Sequence, residues 1–582
     1  MPRITEQALE LKSIRDKMDR RYKMSEKDDV QVVVPASVRT SAILAIKPTN
    51  IADDKLWQGG VFYILHSIIS KTERKKFKFG NKTKGFVGLR HEYLRNVIGT
   101  HTKLTIDLLV TNGIIERDNK YITGVEPMGY RLSEIHRKSK TRVVTISNAA
   151  IIKRYKVVEE KLYLEHRQRL RDHAYLMKWL LNNDLKIDTH AATEYLDLYS
   201  RRLKRIFKKY NLKKDVLDEV YAHIDNTVNS SLNLLNKWDN QKPTIDSKGG
   251  RLYTSLTGIM SQLRNYIKYK DENLVSFDLK NSQPYHLIAM TQPEMWNKAR
   301  NKKELNINNL LDSKILEYIQ HTNKQAYYSS VMMLKEYSKA GKNIVIKGLA
   351  RYPATSPRYA SLVANGKLYK FISDHFKGKF ITTSGYDPFS TEDLAKKEMI
   401  KMFYFNPKET YSPSKIYFAE FKKLFPTEGA IIELLKSRTY QDFSILLQKV
   451  ESTILLKNIC KTIFNTDSKI PIYTIHDSII TTENGVLLVE KIIKDTYKEL
   501  IGVEPDLKKE KMTPQNAFNE FNKYITKKTI EICKDLSIEY KEEKAKMTLE
   551  DLQDVVKSKC FKKAKPIELH DLIVVMPLPW EN

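Results

Sequence analysis

The sequence predicts an α+β chain made of several structural units, and three observations lead to that class. Its 582 residues are several times the length of one ordinary domain, so three or four units are expected. Between residues 51 and 140 the hydrophobic spacing changes from helical to alternating, in the order helix, turn, helix, hairpin. Further on, short apolar strands that end in polar or acidic residues alternate with helices, many of them basic.

Lys and Arg total 100 against 70 Asp and Glu, a formal charge of +30. A neutral metabolic enzyme fits that balance poorly. A polyanionic partner fits it well, because each cation placed beside a phosphate releases condensed counterion. An A+T-rich genome would supply part of the Lys excess without any functional reason. With 41% hydrophobic and 10% aromatic residues the chain can build real cores, which excludes disorder for most of it. No run approaches the roughly 18 apolar residues that span a bilayer. The start, MPRITEQALELKSIRDK, lacks the apolar core of a signal peptide, so a cytoplasmic location without a membrane partner is expected. Cys460, Cys533 and Cys560 have no CxxC spacing or nearby His pairs, so reduced thiols are expected, not a disulfide framework or a zinc site.

Taken in order, residues 1–50 read as an N-terminal extension with one or two strands, the run QVVVPASVRTSAILAI being broken by Pro35. In 51–140, Tyr93, Leu94, Val97 and Ile98 make one helical face, Gly99 a turn, and Leu104 to Leu109 a second helix that Gly113 stops. Short strands follow around Ile115, Tyr121 and Tyr130. This order resembles a winged-helix domain, with 101–112 as the recognition helix and Glu116–Gly129 as the wing. The resemblance implies DNA contact by Arg90, Arg95, Thr102, Lys103 and Lys120, with His101 and Thr105 also exposed. Winged helices also serve as protein-docking modules.

Residues 150–245 are basic and helical; Arg201, Arg202, Lys204, Arg205, Lys208 and Lys209 are expected to form a positive surface, either merely solvated or gripping a duplex backbone. QKPTIDSKGG, ending at residue 250, is the clearest turn-rich joint and opens a unit over 246–510. Residues 511–582 read as a charged helical tail with a terminal strand at LIVVMP.

Three segments of 246–510 share one chemical logic. In NLVSFDLKNSQPYHLIAM, from Asn273, a buried strand ends at Asp278 before a turn that opens a helix. In IPIYTIHDSIITT, from Ile470, the triplet His476, Asp477 and Ser478 interrupts an apolar strand as the turn of a hairpin would. Two such carboxylates on neighbouring strands could share divalent ions, as in two-metal phosphoryl transfer, and Mg²⁺ suits sites with few carboxylates. In STEDLAKKEMIKMFYFNP, Ser390 and Asp393 read as a capping box, and Lys396, Ile400 and Tyr404 share one helical face that can hold a triphosphate and stack on a base. Any one of these is commonplace, since an Asp at a strand end is usually a turn residue. Their joint order is what points to a site.

Asp278, the Lys396–Tyr404 helix and the HDS triplet, in that order, resemble motifs A, B and C of the family A nucleic-acid polymerases, the group of DNA polymerase I and the single-subunit phage-type RNA polymerases. GRLYTS at 250–255 is similar to the segment that precedes motif A. The resemblance implies a right-hand fold of palm, fingers and thumb: palm and fingers in 246–510, a thumb-like element in 150–245. It implies Asp278 and Asp477 as catalytic metal ligands, with the Leu279 carbonyl beside them and two Mg²⁺ ions (or Mn²⁺) as cofactor. Lys396 would bind the incoming triphosphate, Gln283, Ile400 and Tyr404 would line the nucleotide site, and Arg251 and His476 would touch primer or template. The implied partners are template and duplex DNA, with RNA as an alternative, and nucleoside triphosphates.

The chain also departs from the family. Glu392 stands where an arginine usually precedes the lysine by four residues, and Phe405 replaces a glycine. Ile400 and Ser478 lean toward the RNA polymerase branch, whereas the bulky Gln283 resembles a steric gate against a 2′-hydroxyl. DNA synthesis is slightly favoured; RNA synthesis, a primase-like or untemplated nucleotide-adding activity, and a non-catalytic winged-helix replication initiator or regulator are the alternatives.

Overall fold

The computed structural model describes residues 6–22, 30–74, 86–118, 128–236, 238, 243–291, 295, 305–310, 315, 317, 356–383, 385–409 and 412–561. Lys120, most of the expected wing, the LIVVMP segment and most of the interval between residues 291 and 356 lie outside the described residues. Two hydrophobic cores organise the rest, one drawn from Val30 to Val158 and a larger one that reaches from Ile14 to Phe561.

The smaller unit contains β1 (Val30–Pro35), β2 (Val87–Gly88), β3 (Ile115–Arg117), β4 (Gly129–Leu132) and β5 (Thr141–Ile146). β1 pairs antiparallel with β5, so the two ends of the unit close on each other. β2, β4 and β3 make a second antiparallel sheet with β4 in the middle. The helix Asp54–Arg74 buries Trp57, Val61, Leu65 and Ile68 beneath them. Helices His91–Ile98 and Thr102–Thr111 meet at Gly99, whose φ of +97° a side chain would resist. Arg154, from the long helix Ala149–Arg171, donates to the carbonyls of Val97 (2.8 Å) and Ile98 (2.9 Å), closing the end of the first helix.

Thr102 and Thr105 correct an expectation here, because both are buried instead of exposed. Their hydroxyls turn back on their own backbone, Thr102 donating to the Gly99 carbonyl (2.7 Å) and Thr105 to that of His101 (2.8 Å). Arg90, Arg95 and Lys103 remain exposed.

The larger body is built on a six-stranded antiparallel sheet of β6 (Leu185–Ile187), β9 (Ile267–Tyr269), β10 (Glu272–Leu279), β11 (Ile472–Ile475), β12 (Ser478–Thr482) and β13 (Leu507–Met512). β7 (Thr244–Ile245) and β8 (Leu252–Tyr253) form a separate small pair. β10 is central, flanked by β12 on one edge and by β13 and β9 on the other. Its continuous Leu-Val-Ser-Phe run fits a strand covered on both faces. The β9–β10 turn uses Lys270 and Asp271, both at positive φ, the twist that two-residue hairpins require.

Helices enclose this sheet and tie distant segments together. The helix Glu6–Tyr22 packs on Ala174–Leu181, with Asp19 accepting from Arg167 and Arg171. Part of the 1–50 segment thus joins the larger body while β1 joins the smaller unit. The basic helix Thr189–Lys208 is a positive surface only in part: the C-terminal helix Leu549–Lys557 lies against it, while Arg201 and Lys208 stay exposed. Arg202, 2% exposed, pairs with Asp551 (2.7 Å), while Arg201 and Arg205 pair with Asp554 and Arg205 also with Glu550. Lys204 pairs with Asp225. Burial of the apolar stripe drives the docking, and the ion pairs satisfy the arginines it would otherwise strand. Among the described residues, no helix is long and apolar enough to cross a membrane.

Candidate active site

Asp278 stands near the end of β10, directly opposite Ser478 on β12 and Lys508 on β13. The strand ends there because Asn281 takes a left-handed conformation (φ +55°) and starts the helix Ser282–Met290. The β11–β12 hairpin turns through His476 and Asp477, with His476 at φ +52°. A two-residue turn at the register Ile475↔Ser478 places Asp477 one residue from Asp278's cross-strand partner.

Both carboxylates are half-buried. Burial raises Asp278 above the usual carboxylate range, the negative charge of Asp477 raises it further, and the Ser478 hydroxyl, Lys508 and Lys396 pull it back. Ser478 Oγ donates to Asp278 Oδ1 at 2.9 Å. Leu279, the next residue, is buried and its backbone pairs with Leu507.

The helix Glu392–Tyr404 carries Lys396, Ile400 and Tyr404 on successive turns. Its cap differs from the expected one. Thr391, not Ser390, is the N-cap, accepting from the Leu394 N–H, while the Ser390 hydroxyl donates back to the Asp387 carbonyl. Thr391 has the extended backbone a cap requires at the helix start. Lys396 is exposed and lies over the Tyr369 ring, 5.7 Å from its centre. Ile400 is 38% exposed. Tyr404 is pushed up to about 12 by burial, with Arg251, Glu451 and Gln283 also acting on it. At the far end of this helix, buried Lys436 donates to the carbonyls of Met402 (3.3 Å) and Phe405 (3.2 Å), a cation where the helix dipole is negative.

Arg251 lies just before β8 and grips Glu451 with two nitrogens, Nε to Oε1 (2.8 Å) and Nη2 to Oε2 (3.0 Å). Burial and the charge of Asp477 push Glu451 up to about 7 against the pull of Arg251. His476 stands edge-on to Tyr253, ring centres 6.0 Å apart. The fold thus gathers Asp278, Asp477, Arg251, His476, Gln283, Lys396 and Tyr404 around one end of the central sheet, whereas Arg90, Arg95, Thr102 and Lys103 belong to the smaller unit.

Three members of this neighbourhood were not singled out from the sequence. Glu451 sits in an amphipathic helix and its arginine partner is 200 residues away; Lys508 belongs to a lysine-rich strand; Tyr369 is one of 32 tyrosines. No local pattern marks any of them. Among the described residues no group of three or more His, Cys, Asp and Glu side chains is placed to hold a metal ion. Asp278, Asp477 and the Leu279 carbonyl offer only oxygen atoms, the donor type that Mg²⁺ prefers.

No family model and no curated protein matches the chain. Among solved structures, the POL domain of Pol1 from M. smegmatis, in complex with DNA primer-template and dNTP, is similar at 10% identity and a TM-score of 0.27, over 62% of this chain and 73% of that one.

Proposed function

We propose that the chain is a nucleotidyltransferase that extends a nucleic-acid 3′ end, with DNA synthesis on a template slightly favoured. The observation that carries this reading is the meeting of Asp278 and Asp477, from segments far apart in sequence, at one end of a central antiparallel sheet. In it, Asp278, Asp477 and the Leu279 carbonyl would hold Mg²⁺, which would supply activation of the attacking oxygen and stabilisation of the leaving one.

The chain's own residues do the rest. Lys396, exposed on its helix, takes the phosphates of the incoming nucleotide. Tyr404 and Gln283 bound the sugar and base, Gln283 as the bulk that excludes a 2′-hydroxyl. Arg251 and His476 contact the primer or template. Residues 246–510 correspond to palm and fingers, the helices of 150–245 to a thumb-like element, and the smaller unit to a winged helix that holds DNA through Arg90, Arg95 and Lys103. The element order of the smaller unit supports that last assignment, while the burial of Thr102 removes it from the contact set.

The test is extension of a labelled primer on a DNA template with Mg²⁺, offering dNTPs and rNTPs separately, for the native protein and Asp477→Asn. Extension with dNTPs that disappears in the variant is expected. Extension with rNTPs alone would move the protein to the RNA polymerase alternative, and incorporation of neither class would overturn the catalytic reading.

A further inference from the structure

The loop that presents Arg251 is held from two sides. From within, the Asp246 carboxylate accepts from the backbone N–H groups of Lys248 (2.8 Å), Gly249 (2.7 Å) and Arg251 (3.0 Å), folding 246–251 into a tight turn. From outside, the helix Tyr440–Ser452 supplies Ser452, whose hydroxyl donates to the Gly249 carbonyl (2.7 Å), and Glu451, which takes Nε and Nη2 of Arg251. The approach is close, and the backbone at Gly250 favours glycine. A Cβ on Gly249 would lie 2.6 Å from Gln448 Oε1, and Gly250 sits at φ +71° with Ser452 Oγ 2.9 Å from where its Cβ would be. Directly after Ser452 the helix widens into a π-helical stretch, Thr453–Cys460, a distortion that recurs at functional sites.

This clamp does more than bury an ion pair. A two-pronged carboxylate fixes the plane of a guanidinium as well as its position. With Nε and Nη2 occupied, Nη1 has no hydrogen bond to the described residues. Glu451 is 2% exposed, so it cannot swing out to solvent without unpacking its helix.

We propose that Glu451 is the positioning residue for Arg251, fixing the guanidinium so that Nη1 donates to the growing 3′ end. Glu451 then governs alignment of the primer terminus and leaves nucleotide binding to Lys396 and Tyr404. This inference rests on the reading of Arg251 as a primer or template contact.

The test is a double-mutant cycle in primer extension with the full chain: Arg251→Ala, Glu451→Ala and both together, with Glu451→Gln as the conservative variant. KM is measured separately for primer–template and for nucleotide. The expected result is a rise of about tenfold in primer–template KM for each single variant. Nucleotide KM stays within about twofold, and the double variant is no worse than Arg251→Ala alone. Glu451→Gln, which keeps the packing and one acceptor oxygen, falls in between; it carries the test if Glu451→Ala does not fold. Multiplying effects, or a change in nucleotide KM instead, would overturn the inference while native extension keeps the polymerase reading intact. A native protein that extends no primer overturns both.

Discussion

Ser478 and Asp278 face each other across the β10–β12 pair, and the Ser478 hydroxyl donates to Asp278 Oδ1 at 2.9 Å. The bond favours the ionised carboxylate against burial and against the charge of Asp477. Removing it with Ser478→Ala raises Asp278 further, so the acidic limb of the pH–rate profile should move to higher pH. A limb that stays in place would show that Asp278 does not control it.

Asp551 is 1% exposed and is the ion-pair partner of buried Arg202. Asp551→Ala leaves that arginine buried without its carboxylate, and the expected loss of stability is about 3 kcal/mol, read by denaturant unfolding. A loss below about 0.5 kcal/mol would mean that the helix Leu549–Lys557 is not held by this pair.

Acid should weaken the larger core through His286. Its side chain is fully buried, Nε2 lies 3.0 Å from the Tyr497 hydroxyl, and burial lowers it to about 3. The unfolded chain therefore binds a proton near pH 6.5 that the folded chain refuses until about pH 3. Stability from this group is present above pH 6.5 and lost as pH falls, by about 2 kcal/mol at pH 5. His286→Gln, which does not titrate, should flatten that part of the pH dependence; an unchanged slope would assign it to other groups.

How much of this was legible in the sequence depends on how far apart the interacting residues lie. The β10 strand and the His476–Asp477 turn were readable because apolar β-branched runs flank polar residues, a local pattern. The periodic spacing shows the helix of Lys396 but not its cap, since Ser390 and Thr391 both have capping side chains and only Thr391 accepts from the Leu394 N–H. Thr102 and Thr105 looked like reading residues because hydroxyls are polar, yet hydroxyls can be satisfied by their own helix and then buried. The basic helix looked like a surface because its acidic partners, Asp551 and Asp554, lie some 350 residues downstream. Glu451 was invisible for the same reason.

The proposed activity requires Asp278 and Asp477 to hold divalent metal together. Its most direct test is a crystal structure of the full chain with primer–template, a non-hydrolysable nucleotide and Mn²⁺, whose anomalous scattering locates the ion. A Mn²⁺ peak between the two carboxylates, bonded to an oxygen of each, is expected. Nucleotide bound with no ion touching both Asp278 and Asp477 would contradict it.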